Sequence, residues 1–420
     1  MTARHRVVMV ATSYPRFPGD TVGTFLEPIA HGLAARGHQV HMILPWHPRW
    51  QRGAREGDVH FHLFKYAPLP SLNIFGYAGA LEADVRLRGA AVVAAPLALA
   101  AAWQAAARLA RRIDATMIHG HWVVPGGVIA AAAAGRRPLV VSLHGSDVFV
   151  AERHRLAGRA ARWAFGRAGF VTACSDDLGR RARALGADAE RTATVPYGVD
   201  ASRFRPDPLA RARLRAQWRV AEEAPVVLGV GRFVSKKGFE YLIDAIARLA
   251  PCHPHLRLVL AGDGDLRAAF EARIAGHSLA ARVILPGILL QDDVARYLAA
   301  ADVVVVPSVR DPSGNVDGLP NVVLEALASG TPLVSTAAGG IASVIRHGQT
   351  GVIVPEADAA ALSAAIERLL DRPAEAAALG QAARRWAEHE GSWSHTIDGF
   401  ERAYERACRP PDGVLRSARP

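Results

Sequence analysis

Short apolar runs, most of them rich in valine, alternate along this chain with longer segments whose apolar positions recur every three or four residues. The runs at 7–11, 40–44, 116–119, 139–143 and 170–173 read as buried strands. Residues 25–36, the alanine-rich stretch before Ile113, 126–134 and 153–167 are long enough for helices. The alternation pauses at Tyr197-Gly198-Val199-Asp200, followed by Pro206 and Pro208, and then restarts. Strands follow at 226–230, 256–260, 282–285, 303–306 and 332–335, with helices at 239–249, 266–274, 292–299 and 320–328. Strand-helix alternation predicts parallel sheets with right-handed crossovers, so the expected fold is α/β with two doubly wound units. The boundaries read as 1–200 and 201–392. An amphipathic helix at 393–409, with no strand after it, is expected to pack back on the first domain. Doubly wound units bind ligands at the carboxyl ends of their strands, which places the expected site in the cleft between the domains.

Composition narrows the classes. A chain of 420 residues, 50% hydrophobic, is too long for one ordinary core and fills two, with disorder expected only at 410–420. The net charge of +11 suits nucleic acid, an anionic membrane surface or phosphorylated substrates alike. Nucleic acid is disfavoured, because the arginines spread over many helices without an arginine-rich tract, an RNP-like aromatic pattern or zinc-finger spacing. Cys174, Cys252 and Cys408 lie far apart, which indicates neither a disulfide framework nor a zinc site and fits a reducing cytoplasm. The first apolar run is too short for a signal-peptide core. Residues 89–107 carry no charge and are flanked by Arg86, Arg88, Arg108, Arg111 and Arg112. The length just reaches a membrane span, but the stretch is mostly alanine with Pro96 and Gln104 inside. A partly buried helix is the favoured reading. A spanning segment and peripheral contact with an anionic leaflet are the others.

Only three of the fifty basic residues are lysines, and two are adjacent in Gly231-Arg232-Phe233-Val234-Ser235-Lys236-Lys237-Gly238, where a strand turns into a helix. Cations at a helix N-terminus oppose its partial positive charge by ~0.3–1 kcal/mol each, a strain that an anion relieves. Arg232 and Lys237, a planar fork and a point charge, resemble a diphosphate clamp; the other reading is two solvated lysines at a loop tip. A second signal is Asp317-Gly318-Leu319-Pro320-Asn321-Val322-Val323-Leu324-Glu325. Pro320 is expected to open a helix, with Asp317 at its mouth and Glu325 about a turn and a half inside, both able to accept hydrogen bonds from sugar hydroxyls. The alternative is a capping Asp and an exposed Glu. Asp263-Gly264-Asp265 mimics a metal-binding DxD but reads as a turn. His119 and His121 are expected on opposite faces of a strand end, a poor geometry for one metal ion. Gly229-Val230-Gly231 lacks the third glycine of a dinucleotide fingerprint, because Val234 takes its place.

Taken in order, Gly-Arg-x4-Lys-Gly after a strand, then an acid, seven residues and Glu325 in a Leu-Glu-Ala-Leu-Ala-Ser-Gly-Thr-Pro-Leu-Val context, the chain resembles the retaining glycosyltransferases of family 4. Thr12-Ser13-Tyr14-Pro15, Arg36-Gly37-His38, His119-Gly120-His121-Trp122, His144-Gly145-Ser146-Asp147 and Ser392-Trp393-Ser394 are similar to further family segments. The resemblance implies the GT-B fold, two Rossmann-like doubly wound domains facing a central cleft. It implies that Arg232 and Lys237 hold the diphosphate of a nucleotide-sugar donor and that Glu325 binds the ribose. Asp317 and the backbone of Leu319, Pro320 and Asn321 would contact the donor sugar, and His144 would reach the transferring sugar. Gly23 would approach the phosphates, and the chain near Gly262 and 286–288 would read the base. No cofactor and no obligatory metal are implied, since preorganised cations carry the charge of the leaving diphosphate.

Three positions depart from the family: Asp317 where glutamate is usual, Tyr197 in place of asparagine, and Ala342-Ser343 in place of Pro-Glu. The expected activity is retaining sugar transfer to a glycan or lipid-linked acceptor, in cell-surface polysaccharide or glycolipid synthesis. The expected location is the cytoplasm, peripheral on the inner membrane face. A non-catalytic binder of nucleotide sugar or anionic lipid is the alternative, and a dehydrogenase a distant third.

Overall fold

The computed structural model describes residues 3–20, 22–77, 81–82, 86–87, 89–312 and 314–409. The expectations for Arg88 and for 410–420 lie outside the described residues. The chain divides into two compact units, Met1–Val195 with Thr396–Pro420, and Pro196–His395.

In the first unit the strands are β1 (Arg6–Val10), β2 (Gln39–Pro45), β3 (Arg55–Glu56) and β4 (Val59–Phe64), a separate ribbon of β5 (Leu81–Glu82) and β6 (Arg86–Leu87), and then β7 (Met117–His121), β8 (Leu139–Leu143), β9 (Phe170–Ala173) and β10 (Thr192–Thr194). Eight of them form one sheet in the order β10-β9-β8-β7-β1-β2-β4-β3, parallel except where β3 turns back on β4. β4 is a strand that the apolar-run reading passed over. His60 and His62 interrupt its apolar residues at every second position, which is the period of a half-buried strand. The order reverses between β1 and β7, so the loops leaving these two strands flank a crevice at the carboxyl edge.

The alanine-rich stretch is the helix Gly89–Arg112. Ala98, Ala102, Ala106 and Ala110, four residues apart, are buried as one stripe, while Leu97 and Trp103 face outward. That is the partly buried helix of the favoured reading. No helix among the described residues is long and apolar enough to cross a membrane. The helix Trp393–Cys408 enters the first unit from Thr396 onward. Ile397, Phe400 and Tyr404 are buried on one of its faces, and Arg36 pairs with Asp398 at 2.7 Å and with Glu401 at 3.3 Å.

The second unit holds β11 (Val226–Val230), β12 (Arg257–Ala261), β13 (Val283–Ile284), β14 (Val303–Val306), β15 (Leu333–Thr336) and β16 (Val352–Val354), all parallel, in the order β13-β12-β11-β14-β15-β16. Valine-rich runs suit strands buried on both faces. The helix Phe239–Leu249 buries Phe239, Leu242, Ile243, Ile246 and Leu249 against this sheet, about 1.5–3 kcal/mol for each large side chain. Phe233 and Phe270 meet edge to face at 5.2 Å and close the core under the loop that follows β11. The order reverses between β11 and β14. The loops 231–238 and 307–320 leave those two strands, so topology alone brings the two charged motifs together at a switch point.

Candidate functional site

Two backbone approaches lock the loops of the second unit to each other. Gly238 has φ +63°, and a Cβ there would lie 2.1 Å from the carbonyl oxygen of Pro307. Only glycine permits both the left-handed turn and the contact. Beside it the amide of Val309 donates to the carbonyl of Lys236 at 2.9 Å. Gly262 is held in the same way, with φ +143° and a Cβ position 1.8 Å from the carbonyl oxygen of Gly231, while its amide donates to Gly287 at 2.8 Å. The loops after β11, β12 and β13 are thus stitched side by side.

On this frame the Lys236 ammonium lies 3.1 Å from Oδ1 of Asp317 and the Lys237 ammonium 2.8 Å from Oδ2. All three side chains are almost wholly buried. The reading of two solvated lysines is therefore wrong: closing the 307–320 loop over the turn removes both from water. Burial alone would raise the Asp317 carboxyl, but Lys237 and then Lys236 hold it well below the usual carboxylate range. Asp317 sits as the counter-ion of the pair, with each oxygen aimed at one ammonium.

Pro320 has extended backbone (ψ 123°) and caps a helix that begins one residue later than its sequence predicts, at Asn321–Ser329. Leu319 and Pro320 are buried at the helix mouth and Asn321 is half-buried. Glu325 is partly buried rather than exposed. Desolvation pushes its carboxyl up to about 7, against the pull of Arg203 and Lys237. Arg232 stands exposed on the same loop as the lysines, after Gly231 and before the buried Phe233. Lys237, Asp317 and Glu325 are brought within electrostatic reach of one another. Lys236, which sequence reasoning left outside the clamp, joins them, and its adjacency to Lys237 was the one available signal.

Asp263-Gly264-Asp265 forms a turn. The Gly264 amide donates to Oδ1 of Asp263, and the Asp263 carbonyl accepts from Phe233 at 2.8 Å, which anchors the 231–238 loop. One group with metal-ligating atoms close together occurs among the described residues, Glu27, His31 and Glu56. The Arg52 guanidinium already bonds both carboxylates, at 2.6 and 2.7 Å.

In the first unit the crevice loops carry Gly23 and His144. The Gly23 carbonyl accepts the amide of Leu26 at 3.0 Å, where the helix Leu26–Ala35 begins. His144 follows β8, its Nε2 3.0 Å from Nδ1 of His121 and its ring against Phe25 (4.6 Å) and Trp122 (4.9 Å). His119 and His121 do not point to opposite faces. Their ring centroids lie 4.1 Å apart with the planes tilted by 33°, because residues two apart in a strand share a face. Both are fully buried. His119 bridges the Tyr404 hydroxyl at 2.9 Å and the Ser142 hydroxyl at 2.6 Å, and no sequence signal linked Tyr404 to this cluster. Burial drives all three imidazoles down, His121 to about 3, so they are neutral in ordinary buffers. Asp147 ties the two loops together, accepting from the amides of Val123 (2.7 Å) and Gly145 (2.9 Å).

Residues 22–203 match the description Glycosyltransferase Family 4, and residues 210–386 match Glycosyl transferases group 1. The GDP-mannose-dependent alpha-(1-6)-phosphatidylinositol monomannoside mannosyltransferase of Mycolicibacterium smegmatis is 33% identical over 295 residues, covering 69% of this chain and 76% of that protein. The chain is a family 4 glycosyltransferase. The 2-deoxystreptamine glucosyltransferase of Streptomyces kanamyceticus is 28% identical across 90% of this chain and 97% of its own length. Anabaena HepE in complex with UDP superposes with a TM-score of 0.74 at 22% identity, covering 95% of this chain and 99% of that one. Sucrose-phosphate synthase from Thermosynechococcus elongatus gives 0.77 at 22%, covering 96% and 99%. These solved structures place the family 4 enzyme in the GT-B fold class, with two Rossmann-like domains.

Proposed function

We propose that this glycosyltransferase moves a sugar from a nucleotide-diphosphate donor held by the second unit, with retention of anomeric configuration, to a glycan or lipid-linked acceptor taken by the first. The observation that carries the reading is the meeting of Lys236, Lys237 and Asp317 at the switch point between β11 and β14. A donor diphosphate brings two negative charges to a place where one carboxylate now balances two ammoniums, and Arg232 and the mouth of the helix Asn321–Ser329 add further positive potential. When the bond to the anomeric carbon breaks, negative charge builds on the departing diphosphate, and cations fixed beforehand stabilise that state most. Resident metal is not part of the reading, since the lysines and Arg232 supply the charge. Glu325 accepts hydrogen bonds from the ribose, and the backbone around Leu319 and Asn321 borders the donor sugar.

The lipid-linked acceptor is supported by the phosphatidylinositol mannoside acceptor named for the mycolicibacterial relative. A cell-surface glycan or glycolipid product at the inner membrane face follows from that acceptor. The test is a panel of nucleotide sugars, with donor hydrolysis as the first readout and the anomeric configuration of the product, by nuclear magnetic resonance, as the second. Hydrolysis of at least one donor that persists in chelator and collapses in Lys237→Ala is expected. Absence of hydrolysis across the panel, or a product of inverted configuration, would defeat the reading.

A further inference from the structure

Three helices of the first unit, Gly89–Arg112, Val128–Ala134 with its trailing Arg136 and Arg137, and Arg155–Arg167, contain nine arginines and no acidic residue. They hold nine of the chain's eleven net positive charges, although the arginines look scattered along the sequence. Side-chain bonds join the three into one surface. Nε1 of Trp103 donates to the carbonyl of Ala132 at 3.2 Å, from one side of the short middle helix. From the other side Nε of Arg167 donates to Ala131 at 3.2 Å, and the same guanidinium lies over the Trp163 ring at 5.5 Å. The nearest flanking acids, Asp114 and Glu152, are each held by an arginine from elsewhere, Arg6 and Arg181, at 2.9 Å.

The outward side of Arg155–Arg167 shows Arg155, Leu156, Arg159, Arg162 and Trp163, one stripe at helical spacing. Leu156 is 78% exposed and Trp163 46%; on the helix Gly89–Arg112 Leu97 is 63% and Trp103 47% exposed. Leu156 and Leu97, at this exposure and among charges of one sign, do not serve the fold. Indole rings and arginines together match the chemistry of a bilayer interface, where the rings settle at headgroup depth and the guanidiniums meet lipid phosphates.

We propose that this face, centred on Arg155–Arg167, docks the enzyme on an anionic bilayer leaflet. It rests on the reading of a membrane-presented acceptor only in its purpose, and the two fail separately. Nucleic acid would use the arginines but has no use for exposed Leu156 and Leu97.

The test is co-sedimentation of the full-length protein with vesicles of phosphatidylcholine alone and with phosphatidylglycerol added. Binding to the anionic vesicles only, weakening as salt rises, is expected. Arg155→Gln/Arg159→Gln/Arg162→Gln should lower the partition coefficient on the order of 100-fold, and Leu156→Ser/Trp163→Ser should lower it at constant charge. Both variants alter exposed side chains of the first unit and no residue assigned to the donor site, so unchanged donor hydrolysis certifies their folding. Equal binding to neutral vesicles, retention of binding by both variants, or duplex DNA bound more tightly than anionic vesicles at the same salt would overturn the surface while leaving sugar transfer intact. Anionic binding combined with equal turnover of soluble and vesicle-borne acceptor would uphold the surface and remove the lipid acceptor.

Discussion

Where the strand order reverses in the first unit, between β1 and β7, the chain sets two buried imidazoles against the half-buried His144 of the next loop; where it reverses in the second, between β11 and β14, it sets two ammoniums and two carboxylates. Both sets of side chains are largely buried, and burial acts on them in opposite senses. Desolvation discharges His119, His121 and His144, and they hold position by neutral hydrogen bonds to Tyr404, Ser142 and each other. Asp317 stays ionised because both lysine ammoniums lie within 3.1 Å of it, while burial pushes Glu325 toward neutrality. The same topological position has been filled once with a network that tolerates burial and once with ammoniums set against a carboxylate.

The sharpest way to break that contrast is to remove charge from the second crevice alone. Lys237→Ala deletes the ammonium closest to Asp317, and kcat/KM for donor turnover should fall about 100- to 1000-fold, comparable with the loss of one preorganised transition-state donor. Steady-state kinetics decides it; a loss under about 10-fold would mean that the pair is structural. Gly238→Ala keeps every charge and spoils the geometry. Its Cβ would meet the Pro307 carbonyl at 2.1 Å in a left-handed backbone, so about 2–4 kcal/mol of stability should go, measured by denaturant unfolding. Glycine at this position is what lets the two charged loops touch.

The fold was legible wherever burial is two-sided. Val226–Val230 and Val303–Val306 announce themselves as unbroken runs, whereas the boundary read at 200/201 lies five residues beyond the division of the two units at Val195. β4 was hidden because His60 and His62 alternate with Val59, Phe61 and Leu63, a period easily lost to a search for continuous runs. The lysine turn and the Asp317 loop were both visible as motifs. Their pairing was not, because it depends on strand order across 80 intervening residues. Nor could sequence assign Lys236 its carboxylate, or give His119 a tyrosine 285 positions away. The arginine face shows the same limit: three unremarkable helices become one charged surface only when packed.

Acid and base should pull the two crevices apart. The carboxyl of Glu325 titrates near 4.5 in the unfolded chain and at about 7 when folded, so the native state binds the extra proton between those values. Its contribution is fully present below pH 4.5 and is lost as pH rises through 7. Glu325→Gln should flatten this fall, leaving the variant more stable than the parent at pH 8 by about 1–3 kcal/mol, as thermal melts across pH 4–8 would reveal.

His121 has the reverse sign. Its imidazole goes from 6.5 in the unfolded chain to about 3 in the fold, so the unfolded state takes up the proton first and stability drops as pH falls below 6.5. His121→Gln leaves His144 one hydrogen bond to replace and should cost no more than about 1 kcal/mol at pH 7.5. It should also remove up to ~1.4 kcal/mol per pH unit of acid sensitivity between pH 4 and 6. The same melts read both variants. If Glu325→Gln and His121→Gln shift the pH profile in the same direction, the opposition between a neutralised carboxyl and a discharged imidazole is wrong. If they shift it oppositely, enzyme stability peaks where the two slopes cancel, set by one residue from each unit.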